Sequence, residues 1–279
     1  MSLPPNWKNI HNPNTPTLIM GVLNVTTDSF SDGGLFIHTQ TAIEHALAME
    51  EEGADIIDIG GESTRPRAEP VEVEEELQRV LPVIDGIRQR SDICISIDSY
   101  KAVVVVQALD AGADIINDIS GLQFDQEMVD VVKKHSVPVV IMHIKGTPRD
   151  MQQDPHYDNL MQEIVAYFQE RVEFCLQHGL KKENIILDPG IGFGKRIQDN
   201  FELLHELKQI TDIGYPVLSG PSRKSFIGLT LDLPVEERVE GTAAAVTASI
   251  LNGVKIVRVH DVKEMKRVAT IADHIRGKA

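Results

Sequence analysis

Residues 51–62 read Glu51-Glu52-Gly53-Ala54-Asp55-Ile56-Ile57-Asp58-Ile59-Gly60-Gly61-Glu62. A polar helix end meets a glycine, then a short run dominated by isoleucine, and the run ends in small and acidic residues. A glycine just past a helix is a C-cap signal. An isoleucine-rich run is what a parallel strand buried on both faces requires. A near copy stands at Leu109-Asp110-Ala111-Gly112-Ala113-Asp114-Ile115-Ile116-Asn117-Asp118-Ile119. The two are one helix–glycine–strand unit used twice, not a solenoid repeat. Outward from them the same apolar run with a polar end recurs, at Leu23-Asn24, Ile59-Gly60, Ile97-Asp98, Asn117-Asp118, Met142-His143, Leu187-Asp188, Leu218-Ser219 and Val259-His260. The pattern predicts strands near 17–23, 55–59, 93–97, 114–117, 137–142, 184–187, 215–218 and 254–259. Helices are predicted near 39–52, 72–90, 101–111, 125–135, 156–178, 199–212, 234–252 and 262–276, with Gly179 and Gly253 as further caps. Such unbroken alternation predicts an α/β fold, a (β/α)8 TIM barrel in one domain, over a doubly wound sheet.

Size agrees, since 279 residues match the ~250 of such a barrel. Residues 1–16, rich in Pro and Asn, read as an irregular N-terminal lead-in, and 17–279 as the barrel domain. The net charge of −15, from 27 basic and 42 acidic residues, argues against nucleic acid and against an anionic membrane as partner. No apolar run approaches the ~18 residues of a membrane span, and the start lacks the apolar segment of a signal peptide. Cys94 and Cys175 stand far apart, in no metal-like spacing, and read as buried thiols of a cytoplasmic protein.

In a barrel of this type the strand ends converge on one active-site mouth. Unpaired carboxylates there are costly, so several converging at one place call for a ligand or a metal. Two long polar loops follow the first strands, at 24–38 and 60–71. In the first, Asn24 can ligate a metal or bind a phosphate oxygen; Asp28, Asp32 and the glycines suit a closing loop, although alone they read as ordinary turn residues. In the second, Arg65 and Arg67 offer donors to a phosphate or carboxylate. Asp98, Asn117 and Asp188 end three strands and together match the edge of a heterocycle with an amino group beside a ring N–H. A divalent-metal site or a structural polar layer would use the same residues.

The run Asp188-Pro189-Gly190-Ile191-Gly192-Phe193-Gly194-Lys195 lacks the spacing of a nucleotide P-loop. Its glycines are read as letting backbone approach a flat ligand, with Phe193 at the rim. Ser222, Arg223, Lys224 and Ser225 sit where a helix should begin after strand seven, a favourable place for an anion. Arg223 also fits an exposed cation beside a serine cap. In strand eight, Arg258 and His260 share one side by period-two alternation, and a buried arginine needs an anion. His143 is read as a hydrogen-bonding core histidine. Arg65, Lys224 and Arg258, gathered at one mouth of an acidic protein, imply a strongly anionic substrate. Neither a nucleophilic triad order nor a zinc-like cluster is present.

The blocks at 20–34, 58–66, 95–101, 113–121, 188–195, 222–228 and 257–262 resemble the dihydropteroate synthase family in order and spacing. The resemblance runs from about residue 18 to 275, nearly the whole chain. Thr27 stands where that family usually has proline, and Ser99 where it usually has threonine. The resemblance implies a pterin-binding barrel that condenses 6-hydroxymethyl-7,8-dihydropterin diphosphate with p-aminobenzoate, releasing pyrophosphate, in folate synthesis. It also implies Mg2+ and a homodimer formed through the later helices.

Set beside that activity, the residues take roles. Asp188, Asn117 and Lys224 would hold the pterin edge. Asp98 would stabilise positive charge as the methylene–oxygen bond breaks. Magnesium on Asn24, with Arg65, Arg258 and His260, would neutralise the departing pyrophosphate. Thr64 joins the substrate-binding set. Phe30, Pro66 and Phe193 would pack the p-aminobenzoate ring, and Ser222 with the helix start would take its carboxylate. A pterin-binding methyltransferase could share the Asp/Asn pocket but would not need the cations, and a non-catalytic paralogue would not need Asn24, Arg65, Lys224, Arg258 and His260 intact.

Overall fold

The computed structural model describes residues 3–5, 7–12, 14–26 and 35–277, the side chains at 35–37 excepted. Eight parallel strands alternate with helices: β1 Leu18–Asn24, β2 Ile56–Gly60, β3 Cys94–Asp98, β4 Ile115–Asp118, β5 Val139–Met142, β6 Ile185–Asp188, β7 Leu218–Ser219 and β8 Ile256–Val259. Each strand pairs with its sequence neighbours, and β1 pairs with β8. Between β6 and β7 the closure is thinner, one bridge at Leu187 and Val217, with the Leu187 N–H donating to the Pro216 carbonyl at 2.9 Å. Pro216 has no N–H to return, which keeps β7 short. The chain is therefore a (β/α)8 barrel, as the alternation predicts.

Around it run α1 Leu35–Glu51, α2 Val73–Arg88, α3 Ala102–Asp110, α4 Met128–His135, α5 Leu160–Gln177, α6 Ile197–His205, α7 Lys208–Thr211, α8 Ser225–Leu231, α9 Val239–Leu251 and α10 Val262–Ile275. Several boundaries differ from expectation, three of them for a local reason. The helix expected at 199–212 breaks after His205, where Gln209 and Ile210 bond three residues back while Leu207 is fully buried. The helix expected from 234 begins at Val239, after a short 3-10 turn that follows Pro234. The helix expected from 156 begins at Leu160, because the Asn159 side chain caps it by accepting the Gln162 N–H at 3.1 Å.

The repeated Gly-Ala-Asp has a structural task in both copies. Gly53 and Gly112 leave their helices at positive φ, 103° and 115°, which L-residues with a Cβ rarely adopt. Two residues on, Asp55 accepts the N–H of Ile19 at 2.8 Å and Asp114 that of Ile95 at 3.1 Å. Each aspartate thus anchors the start of the preceding strand, and each is paired outward, with Lys266 at 3.1 Å and Arg88 at 2.5 Å respectively.

Alternation sorts the strand residues. Ile19, Leu23, Ile57, Ile59, Ile95 and Ile97 face the helices. Leu18, Met20, Ile56, Cys94, Ile115, Val140, Ile186, Leu218 and Ile256 fill the lower barrel, where Trp7 and Ile10 of the lead-in close the floor. One step up five of these strands come Asp58, Ser96, Asn117, Asp188 and Arg258, with Val22 and Met142 at the same level in β1 and β5. The interior is thus apolar below and ionic above. Cys94 and Cys175 are free and buried.

Candidate active site

The upper barrel opens into a pocket whose lining includes Thr64, Asp98, Asn117, Asp188, Phe193, Lys224 and Arg258. These come from the ends of five strands and from loop two, and all are residues the sequence places in the site. Their carboxylate and amide members are buried: Asp98 is 8% exposed, Asn117 4% and Asp188 6%. Ile119, Met142 and Ile191 complete the walls. Ile119, Met142 and Phe193 belong to one apolar cluster, so the pocket has flat greasy surfaces beside a polar edge.

Arg258 organises the interior. Its Nε donates to Asp58 Oδ2 at 2.6 Å, and its Nη2 to Asp98 Oδ2 at 2.7 Å. Asn117 Nδ2 donates to the same Asp58 oxygen at 3.0 Å, which leaves the amide oxygen of Asn117 as an acceptor for a ligand. Sequence reading overlooked Asp58. Its signal was available, since Asp58 stands two residues after inward-facing Ile56, and an inward carboxylate must find a cation. The expected anion partner of Arg258 is therefore already supplied in part by the protein's own carboxylates. Burial lowers the pKa of Arg258, but the two carboxylates outweigh it and hold it above its ordinary value.

The same burial acts on the carboxylates. It pushes Asp98 up to about 7, against the pull of Arg258. It pushes Asp188 up to about 6, opposed by the Gly190 N–H, which donates to Asp188 Oδ1 at 2.8 Å, and by Lys224. Burial and then the charge of Arg258 push Lys224 down to about 8. The Lys224 ammonium lies 4.1 Å from the centre of the Phe193 ring, a cation–π contact that fixes both at the rim.

His260 and Ser222 meet beside the pocket. Ser222 Oγ accepts the His260 N–H at 3.1 Å and lies 3.0 Å from Nδ1 of the same ring. Burial first, and then Arg258, push His260 down to about 3. At that value the ring is uncharged near neutral pH and acts as a hydrogen-bonding group. Ser222 is buried, and the helix does not begin there: Lys224 is the extended residue before α8. Arg223 turns away from the pocket to pair with Asp261, 2.9 Å from its Nε, as the cation reading allowed.

The glycine run after β6 differs from expectation too. A Cβ on Gly190, at φ 65°, would stand 2.0 Å from the His143 carbonyl oxygen. The glycine admits neighbouring backbone, not only a ligand. The loop then wraps Lys195, whose ammonium lies 3.0 Å from His143 Nδ1 and donates to the carbonyls of Gly190 and Phe193 at 3.0 Å each. Burial lowers Lys195 to about 7, and burial with Lys195 lowers His143 well below its ordinary value. His143 is thus the core histidine expected, and Lys195 is the residue that shapes the Phe193 loop.

The remaining candidates stand at the rim. Asn24 ends β1 half-buried, paired in register with Gly60. Arg65, Pro66 and Arg67 are exposed in loop two, and Arg67 donates its N–H to the Pro148 carbonyl at 3.0 Å. Phe30, Thr27, Asp28 and Asp32 lie outside the described residues. Asp118, next to Asn117, points away from the pocket and accepts the N–H groups of Ser120 and Leu122 at 2.7 and 2.9 Å. Among the described residues no group of three or more His, Cys, Asp or Glu could hold a metal ion.

Comparison with known proteins matches this arrangement. The family described as pterin binding enzyme matches residues 20–260. A dihydropteroate synthase of Haemophilus influenzae is 51% identical over 88% of this chain and 88% of its own length. A dihydropteroate synthase of Clostridium difficile, crystallised in the presence of pteroic acid, superposes with a TM-score of 0.89 at 48% identity, over 94% of this chain and 97% of that one. The Xanthomonas albilineans dihydropteroate synthase with 4-aminobenzoic acid superposes with a TM-score of 0.88 at 42% identity, over 95% and 94%. With matches of this length, and with a pocket built on the same barrel, the chain belongs to the pterin-binding enzyme family and, within it, to the dihydropteroate synthases.

Proposed function

We propose that the protein is a folate-synthesis transferase that condenses 6-hydroxymethyl-7,8-dihydropterin diphosphate with p-aminobenzoate to give 7,8-dihydropteroate and pyrophosphate. One observation carries this reading. Asp188, Asn117 and Lys224 form a polar edge between apolar walls, and the Arg258–Asp98 ion pair stands beside them in the same pocket.

The carboxylate of Asp188 accepts from the pterin amino and ring N–H groups, the free oxygen of Asn117 accepts a further N–H, and Lys224 donates to a ring acceptor. Met142 packs against a ring face. As the methylene–oxygen bond breaks, positive charge grows on the pterin side and negative charge on the pyrophosphate. Asp98 faces the first, and the cations face the second. Because Arg258 holds Asp98 in place beforehand, little reorganisation is needed at the transition state. His260, uncharged and bonded through Nδ1 to Ser222, presents its other ring nitrogen as a donor to a phosphate oxygen. Arg65 adds charge from loop two. The aryl amine is largely neutral at pH 7 and attacks without a dedicated base; Phe193 and Pro66 border its ring, and Phe30 lies outside the described residues.

Asn24 suits magnesium. Its carbonyl is a hard oxygen donor, and one or two protein ligands plus substrate phosphates is the usual magnesium pattern. When bound with the diphosphate, the ion supplies charge neutralisation to the leaving group. The catalytic unit is residues 17–279, with 1–16 as its lead-in. Exposed Leu229, Leu231, Leu251, Ile271 and Ile275 on α8, α9 and α10 support a homodimer through these helices. Two free buried cysteines support a cytoplasmic location, and among the described residues no helix is long and apolar enough to cross a membrane.

Incorporation of p-aminobenzoate with the pterin diphosphate, followed by pyrophosphate release, tests the reading. Dependence of release on both substrates is expected. Binding of the pterin without any release would instead make the protein a non-catalytic pterin binder.

A further inference from the structure

Lys101, in the turn between β3 and α3, lies away from the pocket, yet three separate parts of the chain converge on its ammonium. Nζ donates to Glu62 Oε2 and to Glu76 Oε2, both at 2.6 Å, and to the Val71 carbonyl. Glu62 in turn accepts the Val71 N–H at 3.0 Å and the Tyr100 hydroxyl at 2.7 Å. Glu62 opens loop two, Val71 ends it, and Glu76 sits in the first turns of α2. Both ends of the loop are thereby tied to one point. The Glu62 and Glu76 side chains are only 8% and 1% exposed, and that of Lys101 14%. Buried carboxylates that converge like this need their cation. Between the tied ends lie Thr64, which lines the pocket, and the exposed Arg65 and Pro66.

We propose that Lys101 is a positioning residue for the condensation: by gathering Glu62, Val71 and Glu76 it closes the base of loop two and so sets where Thr64, Arg65 and Pro66 stand at the mouth. The proposal rests on the synthase reading for its kinetic part only. Burial disfavours the charged Lys101, but the two glutamates outweigh it and raise its pKa, while burial raises that of Glu76 against the pull of Lys101. Among the described residues Oε1 of Glu76 is buried without a hydrogen-bond partner, and Lys101 is the cation paired with that carboxylate.

The test reads loop two directly. Arg67–Ala68 is a tryptic bond inside the loop, whereas Arg65 is shielded from trypsin by the proline that follows it. In Lys101→Met, native-state cleavage at Arg67–Ala68 should accelerate by about tenfold while cleavage elsewhere is unchanged, as expected for a local opening. The KM for p-aminobenzoate should rise by about tenfold with kcat changed by less than about threefold, the pattern of lost binding rather than lost chemistry. Lys101→Arg should restore most of both. Should Lys101→Met fail to fold, Glu62→Gln decides by the same bond. A folded variant with wild-type cleavage at Arg67–Ala68 overturns the proposal, as does cleavage that accelerates equally at every site. If the wild-type protein released no pyrophosphate, the synthase reading would fall, and the cleavage result would still decide whether Lys101 closes the loop.

Discussion

The inner wall and the rim of the same mouth are built in opposite ways. On the wall, Asp58, Asp98, Asn117 and Arg258 project from strands and bond to one another at 2.6–3.0 Å. At the rim, Arg65 and Pro66 are exposed on a loop whose order comes from its tied ends. A rigid heterocycle can be met by a finished surface. The diphosphate and the second substrate of the proposed reaction also meet the exposed groups of that loop. The wall therefore carries stability as well as binding, and the rim carries binding alone.

Removing the central guanidinium should show the largest effect. Arg258→Ala would leave Asp58 and Asp98 buried without their cation, which costs about 3–5 kcal/mol of folding stability, read by urea denaturation, with turnover lost as well. A fully stable Arg258→Ala protein would erase the contrast, because the wall would then be no more structural than the rim.

Asp188→Asn exchanges one acceptor for a donor at the pterin edge. Calorimetry with a pterin ligand should show a loss of about 1.5–3 kcal/mol. Unchanged affinity would remove Asp188 from that edge.

Acidity should act through the wall. Asp98 and Asp188, raised to about 7 and about 6, gain protons as pH falls through those values. Lys224, lowered to about 8, loses its charge as pH rises through that value. The kcat/KM for the pterin diphosphate should therefore peak between about 7 and 8 and fall on both sides. Lys224→Arg should extend the alkaline limb if Lys224 sets it; an unmoved limb would assign it elsewhere.

The smallest structural effect belongs to the rim. Arg65→Ala should change stability by no more than about 0.5 kcal/mol, the range of ordinary surface substitutions. It should nonetheless abolish any tightening of p-aminobenzoate by magnesium pyrophosphate, which we expect because one ligand orders the loop for the other. Titrations with and without magnesium pyrophosphate measure this. Equal dissociation constants in the wild-type protein would end the ordered-loop account, and a large stability loss in Arg65→Ala would place the rim with the wall.

The alternation of short apolar runs with helical segments was enough to predict the barrel, and with it the one mouth at which the polar run-ends gather. It placed Asp98, Asn117, Asp188 and Arg258 at one mouth without coordinates. The duplicated Gly-Ala-Asp was legible as a unit for the same local reason. Pairing was not legible, because it depends on which strands become neighbours once the barrel closes. Arg258 meets Asp58 across 200 residues and Asp98 across 160, and Lys101 meets Glu62 across 39. Those contacts turned an arginine awaiting an anion into one already held by carboxylates, and gave Lys101 partners that its own block does not reveal. Burial, which leaves His260 uncharged and Lys195 lowered to about 7, is likewise a property of the closed barrel, since a residue's solvation depends on what the rest of the chain packs around it.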